Sequence, residues 1–599
     1  MCGIAGIFSY GDAAAATDRA ELRAMRDHMA ARGPDGIGEW FSADGRVALG
    51  HRRLSIIDLS PGGAQPMVSA DGKLVISYNG EIYNYRELRQ GLEAAGRVFR
   101  TGSDTEILLH LYAEKGDAML QELRGMFAFA LWDAGRGRLL LARDAFGIKP
   151  MYYADGGGIL RFASQVKALL QAPVDTAPSA AGHVGFFLWG SVPEPWTLYR
   201  GIRALPAGHA LVADQNGIGT PVAWCRITDI LAAASNSPAA GSRGAALEAI
   251  AAAIHDSVVA HHVADVPVGI FLSAGIDSCL IASAAAAQGA QSHTLTLGFR
   301  EFVGTSNDEV PLAEQIARSL GSRHNSLLTG REDFEGEREK LFAAMDQPSI
   351  DGVNTWFVAR AAAQLQIKVA LSGLGGDELF ASYPSFRQLP AMVRYTRPLA
   401  RASALARALR AVSAPVLGRF TSPKYAGLLE YGHTLSGAYL LRRSLFAPWE
   451  LSSLLGPELA REGWDELQSI ANLEQTVAGI GQDRLAVSAL EMQWYMRNQL
   501  LRDADWAGMA QSMEIRVPFL DINLLRQAAP WFATYPDISK AELAAVAAPN
   551  LPQALLTRPK TGFSVPVREW IRPPGESKQE RGLRGWARFV HSRFAGATL

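Results

Sequence analysis

Along the first 210 residues the apolar positions fall in short runs broken by glycine-rich turns such as Asp155-Gly156-Gly157-Gly158. Residues 47–49, 74–78, 126–132, 139–142 and 159–163 alternate or cluster their apolar side chains as strands do. Residues 86–95 and 105–115 space them as helices do. Strands with segregated helices predict a layered α+β domain. Residues 232–245, AAASNSPAAGSRGA, are small, polar and rich in breakers, which predicts a linker. Beyond it the period switches. A strand at 267–272 leads through a turn into a helix at 277–288, and a strand at 294–299 precedes a helix from about 309 to 320. A third strand at 368–371 again ends in a glycine-rich turn. This alternation predicts an α/β parallel sheet with ligands at the C-terminal ends of its strands. From about residue 390 onward the pattern is mostly helical. The last residues, 573–599, are basic and polar with a short Trp586/Phe589 face.

A chain of 599 residues exceeds what one hydrophobic core holds, so two domains are expected. Hydrophobic residues make up 48% and charged residues 20%, as in globular proteins, and the net charge of −1 offers no broad field to nucleic acid or membrane. No apolar run reaches the ~18 residues of a membrane-spanning helix. The opening MCGIAGIFSYGD lacks the basic and long apolar regions of a secretory signal. The cysteines, Cys2, Cys225 and Cys279, are too far apart for a CxxC site. A reducing, cytoplasmic setting without disulfides is the expectation.

Cys2 directly follows the initiator Met1. Removal of Met1 would give Cys2 a free α-amine with an ordinary pKa of about 7.7–8.0, so one residue would supply both nucleophile and base. Position alone fits a small buried hydrophobe equally well. The company of Cys2 narrows the reading. MCGI, ARGPDG (31–36), HRRLSIIDLSPGGAQPM (51–67), YNGEIYNYRELR (78–89), TGSDTE (101–106), GMFAFALWD (125–133) and ARDAFGIKPMYY (142–153) together resemble the glutaminase domain of the class II, N-terminal-nucleophile glutamine amidotransferases. The resemblance implies a layered αββα fold in which Cys2 forms a thioester with glutamine. It implies that Arg53 pairs with the substrate α-carboxylate, that Leu54, Ser55, Ile56 and Ile57 continue that wall, and that Glu81 and Asp104 hold the α-ammonium. Asn79 and the Gly80 N–H would form the oxyanion hole. Read by themselves, Arg53 is a surface ion-pair residue and Asn79-Gly80 a hairpin turn. The chain departs from the family at Ala31, often His, and at Gln165, often Glu.

The second chemical stretch is FLSAGIDSCLIAS (271–283), a strand–turn–helix junction without the lysine of a P-loop. Ser273, Gly275 and Ser278, with the first N–H groups of a helix near Asp277, suit an anion, and an ordinary N-capped turn suits the same pattern. The stretch resembles the SGGxDS loop of the ATP-pyrophosphatase-type ligases, with Ala274 in place of the first glycine. Asn307-Asp308-Glu309, ALSGLGGDELF (370–380), LLRDAD (500–505), MEIRVPFLD (513–521) and RPKTGF (558–563) follow in the order found in glutamine-dependent asparagine synthetases, the last segments before the loop being helical there. The resemblance implies the following sites. Phe271, Leu272 and Leu297 flank adenine, Ser372 and Gly373 contact the nucleotide, and Asp277 and Asp377 hold Mg²⁺ with the pyrophosphate of ATP. Lys560 stabilises charge at the acyl-adenylate, and Glu378 with Asp377 meets the incoming ammonia. Where the family often carries Glu after Ser-Gly, this chain has Leu374, and Ala381-Ser382 replaces a Gly-Gly pair. The acceptor is therefore aspartate or another carboxylate: a sugar uronate, a peptide or a small acid. On this reading residues 2–210 form the glutaminase domain, 211–245 a linker, 246–572 the synthetase domain and 573–599 a tail. The partners are small molecules, with no nucleic acid or membrane, and a homodimer is left open.

Overall fold

Side-chain alternation along the first strands decides the order of the layers. In the computed structural model, which describes residues 2–11, 16–289, 292–399, 403–420, 422–557, 566, 570 and 583–595, the strand Gly3–Ser9 lies inside an antiparallel sheet. The order is Arg203–Ala204, Tyr152–Gly156, Ile159–Ala163, Gly3–Ser9, Val47–Arg53, Gly36–Phe41. A second antiparallel sheet runs Gly217–Ile218, His209–Asp214, Arg138–Arg143, Gly125–Asp133, Leu74–Ile82, Met67–Val68. Ile4, Phe8, Val47 and Leu49 of the first sheet pack on Val75, Ala128, Ala130 and Trp132 of the second. Neighbouring residues point the other way, as the two-residue period requires. Ala5, Ile7 and Ala48 meet Leu22 and Met25 of helix Arg19–His28. Ile76, Tyr78 and Phe129 meet Ile107, Leu108 and Leu111 of helix Asp104–Lys115. The result is helix, sheet, sheet, helix, as the sequence implied.

Three local readings change. Asn79-Gly80 is not a hairpin: both lie within strand Leu74–Ile82, opposite Ala128 and Phe127. The glycine is needed for close approach, since a Cβ at Gly80 would stand 2.3 Å from the Met126 carbonyl oxygen. The boundary at 210 falls inside strand His209–Asp214, which pairs with Arg138–Arg143. The stretch 232–245 also holds the end of helix Ile227–Asn236, anchored by buried Ile227, Leu231 and Ala234. Its alanines are helix formers, and that propensity overrides the breakers around them.

The second half is built on a five-stranded, all-parallel sheet in the order Arg323–Thr329, His293–Phe299, Val268–Phe271, Val369–Leu371, Glu514–Arg516. Two of these strands were not legible. Arg323–Thr329 is a polar edge strand. Glu514–Arg516 lies in the stretch expected to be helical and is fully buried with a charge at each end. Helices dominate from Ser385 onward. No helix among the described residues is long and apolar enough to cross a membrane.

The tail contains helix Arg584–Ala595, which docks through buried Trp586, Ala587 and Val590. Trp586 packs near Phe334 and Phe342 of the synthetase half, while His591 lies beside Phe186 and Phe187 of the N-terminal half. His183 Nδ1 and His591 Nε2 are 2.9 Å apart. Burial holds both imidazoles at about 4, and for His183 the neighbouring His591 adds to it. The unfolded chain takes up protons as pH falls below about 6.5 and the folded chain does not, so stability is full above 6.5 and falls from there to about 4. We expect the thermal midpoint to drop between pH 7.5 and 5, and His591→Phe to flatten that dependence in calorimetry.

Candidate functional site

The strand Gly3–Ser9 places Cys2 at the end of the first sheet, beside the end of the second. Its backbone nitrogen donates to Asn79 Oδ1 at 2.8 Å. As a peptide nitrogen it can only donate, which fixes the amide orientation and leaves Asn79 Nδ2 outward. That NH₂ is buried and has no hydrogen-bond partner among the described residues. A carbonyl oxygen turning into an oxyanion is what an unspent donor beside a thiol suits. The thiol itself is buried, which raises its pKa, while the positive chain terminus, the Leu54 N–H and Arg53 pull it back down. We expect Asn79→Ala to lower kcat for glutamate release from glutamine by about 10²–10³-fold with a smaller change in KM.

Arg53 ends its strand and donates to the carbonyl oxygens of Ile57 and Ser60 at 3.2 Å each. Neutral acceptors leave the guanidinium charge uncancelled, so it remains available to a carboxylate. Gly63 makes room: a Cβ there would lie 2.0 Å from Arg53 Nη2. Leu54, Ile56 and Ile57 are buried and Ser55 half-buried, with the Ser55 N–H on Asp35. Asp104, buried at the start of its helix, accepts from Tyr78 Oη at 2.9 Å and from the Ile82 N–H at 3.1 Å. Burial raises its carboxyl to about 6 against those two hydrogen bonds.

Glu81 shares a face of its strand with Asn79 and reaches across to the second half. Its Oε2 lies 3.5 Å from Arg516 Nη2, and Arg516 Nε donates to Glu514 at 2.6 Å. Lys149 Nζ stands 3.9 Å from Glu514 on the other side. Burial raises Glu81 well above the carboxylate range, and the nearby Glu514 charge adds to that. Burial alone would raise Glu514, but the chain-terminal charge, Arg516 and Lys149 hold it low. A second tie was missed in the sequence. Arg32 donates bidentately to Asp505 at 2.7 and 2.9 Å and through Nε to the Cys2 carbonyl oxygen at 3.1 Å. The LLRDAD segment thus holds the thiol-bearing residue in place.

The other site lies at the C-terminal ends of strands Val268–Phe271 and Val369–Leu371, where an open parallel sheet binds ligands. Helix Ile276–Ala286 starts there from Gly275. Ser278 Oγ accepts from the Ser273 N–H at 3.0 Å, closing the turn. Ala274 is not among the positive-φ residues, so the turn does not need the glycine it lacks. A cavity of about 230 Å³ is lined by Phe271, Leu272, Ser273, Gly275, Asp277, Ser278, Leu297, Ser372, Gly373, Leu374, Asp377 and Glu378, every site residue expected in this half except Lys560. Lys560 and its RPKTGF loop lie outside the described residues. Gly373 and Gly376 let the second loop press on the first, since a Cβ at Gly376 would stand 2.4 Å from Asp277 Oδ1.

Lys540, unremarked in the sequence, donates to Asp277 Oδ2 at 2.6 Å and to Asp377 Oδ1 at 2.7 Å. Two carboxylates converging on one cation form a hard-oxygen pair that suits Mg²⁺, an ion that takes one or two carboxylates and completes its shell with phosphates and water. No group of three or more His, Cys, Asp or Glu able to hold a metal occurs among the described residues. Glu378 is buried and accepts from Tyr383 Oη at 2.9 Å. Burial, then the Asp377 charge, pushes its carboxyl up to about 8.

Known proteins share both halves. A glutamine amidotransferase domain family matches residues 1–224, and the asparagine synthase family matches residues 249–584. Glutamine-hydrolyzing asparagine synthetase 1 of Bacillus subtilis is 34% identical over 96% of this chain and 88% of its own length. A relative from Mycobacterium bovis is 36% identical over 96% of this chain and 88% of its own. Glutamine-hydrolyzing asparagine synthetase 3 of Bacillus subtilis is 28% identical over 96% and 89%.

Proposed function

Because the chain belongs to the glutamine-hydrolysing asparagine synthetase family, we propose that it makes asparagine from aspartate, glutamine and ATP, releasing glutamate, AMP and pyrophosphate. The observation that carries this reading is the pairing of Cys2 with Asn79 Oδ1, which leaves Asn79 Nδ2 unspent beside the thiol.

With Met1 removed, the Cys2 α-amine takes the thiol proton and Sγ attacks the side-chain amide carbon of glutamine. Asn79 Nδ2 and the Gly80 N–H receive the oxyanion. Ammonia leaves with the proton, and water frees glutamate from the thioester. Arg53 holds the substrate carboxylate, and Asp104 with Glu81 its ammonium. In the second site Phe271, Leu272 and Leu297 flank adenine, while Ser273, Gly275, Ser278, Ser372 and Gly373 meet the nucleotide. Asp277 and Asp377 would hold Mg²⁺, which would neutralise phosphate charge there. The β-carboxylate of aspartate displaces pyrophosphate from ATP to give β-aspartyl-AMP. Ammonia, passed inside the chain, then displaces AMP. Glu378 as a carboxylate takes the proton lost by the attacking ammonia, and its pKa of about 8 suits that transfer near neutral pH. Lys560 is assigned to the charge on the acyl-adenylate.

Leu374 favours a second reading, in which the same chemistry amidates a sugar uronate, a peptide or another acid. A leucine at that wall neither moves a proton nor binds metal. Mass spectrometry of the products formed from glutamine, ATP, Mg²⁺ and aspartate decides between them. Asparagine and AMP in equal amounts are expected, with the intact chain lacking one methionine. No stimulation by aspartate, with AMP formed from another acid, would replace the first reading by the second.

A further inference from the structure

Beside the nucleotide cavity lies a larger one of about 1130 Å³, walled by Ala381, Ser382, Tyr383, Arg387, Arg484 and Lys540, with Phe380 and Phe386. The two cavities share Tyr383, the partner of Glu378. Lys540 lies on the wall of the larger cavity while its ammonium sits on Asp277 and Asp377, which line the smaller one. A ligand in the groove therefore borders the place where the acyl-adenylate forms. Pockets for drug-sized ligands hold about 300–1,000 Å³, so the groove is far larger than free aspartate requires.

The groove is built for an anion. Arg484 is 6% exposed, and Nη1 donates to the carbonyl oxygens of Pro536 and Ile538 at 2.8 and 2.9 Å. Its guanidinium lies 4.0 Å over the Phe532 ring. Nε and Nη2, the edge that grips a carboxylate side-on, have no hydrogen-bond partner among the described residues. Arginine cannot shed its charge, and the carboxylate that reaches this guanidinium, Asp537, is shared with Arg243. The wall also carries two acids, Asp537, paired with Arg243 at 2.9 Å, and the exposed Asp483. Exposed Arg387 adds a second cation. Two of the positions where this chain departs from its family's pattern, Ala381 and Ser382, face the same space. Ala381 holds φ 57°, a left-handed conformation that favours glycine, so the side chain is kept there against backbone preference.

We propose that this groove seats the far end of the acceptor: the carboxylate to be amidated belongs to an acid of peptide size carrying a second anionic group, which Arg484 and Arg387 receive. The inference rests on the amide-ligase reading above and takes its second acceptor, a larger acid in place of free aspartate.

The test measures pyrophosphate release with Mg-ATP and ammonium chloride, using L-aspartate, the dipeptide Asp-Glu and its neutral counterpart Asp-Gln. We expect kcat/KM for Asp-Glu to exceed that for Asp-Gln by about tenfold or more. Arg484→Gln should abolish the preference. Arg387→Glu, a change at an exposed position, should shrink it by about threefold or more. If Arg484→Gln does not fold, Arg387→Glu decides alone. Equal use of the two dipeptides, or a preference untouched by Arg387→Glu, overturns the inference while activity with aspartate leaves the ligase reading standing. No pyrophosphate from any of the three acids overturns both.

Discussion

Cys2→Ala will abolish glutamate release from glutamine, lowering kcat/KM by ~10⁴-fold or more, because no other group replaces a covalent nucleophile. Pyrophosphate release driven by ammonium in place of glutamine will stay within about twofold of the unchanged protein. The two expectations come from separate facts. The bond from the residue's nitrogen to Asn79 Oδ1 and the one from Arg32 to its carbonyl oxygen use only backbone atoms of residue 2, so alanine preserves both. Only the sulfur is lost. Parallel assays of glutamate and pyrophosphate check the pair of results. Loss of both activities in a folded variant would break the separation of the sites.

Asp377→Asn will give the opposite pattern. ATP-dependent pyrophosphate release should fall by about 10³-fold, with glutamate release from glutamine retained. Asparagine has the shape of aspartate, so the change is one of charge. Asp377 and Asp277 jointly oppose the Lys540 ammonium at 2.7 and 2.6 Å. Removing one charge from this half-buried pair weakens the place where, on the proposed function, the charge of a departing pyrophosphate is balanced. Single preorganised contacts of that kind carry about 10²–10³ in rate, and a charge at a metal position more. The variant also separates Lys540 from half its support, so a compensating change there, Lys540→Met, should not restore activity. An Asp377→Asn protein as active as its parent would remove this pair from the reaction.

The layered first half was readable because its strands obey a strict period of two over buried faces, whereas the close backbone approach at Gly80 showed only in the structure. Residues sitting in one short motif, Cys2 to Ile57 or Phe271 to Ser278, carry their neighbours with them in sequence. What stayed hidden joins distant positions. Arg32 and Asp505 are 473 positions apart, and neither stands in a pattern that points to the other. Lys540 occupies the first turn of a helix capped by Ser539 and Glu542, where a lysine looks like an ordinary solvated residue. Strand Glu514–Arg516 was concealed for an energetic reason: charged residues are rarely buried in pairs, and distant partners, Glu81 and Lys149 with the His261 and Val263 carbonyl oxygens, make that burial tolerable.

That same three-residue strand has a bearing on how the protein can change. Glu514 and Arg516 turn toward the glutaminase half, while Ile515 between them lines the nucleotide cavity. Its register is pinned by pairing of Ile515 with Ala370, one residue before the loop that begins after Leu371. A slip of one position would put a charge against the nucleotide and an isoleucine among the carboxylates. The two halves therefore cannot drift independently as substitutions accumulate. Whatever acceptor the chain comes to favour, its new pocket must be reached without moving this strand, and the surfaces free to vary are those on the far side of Tyr383.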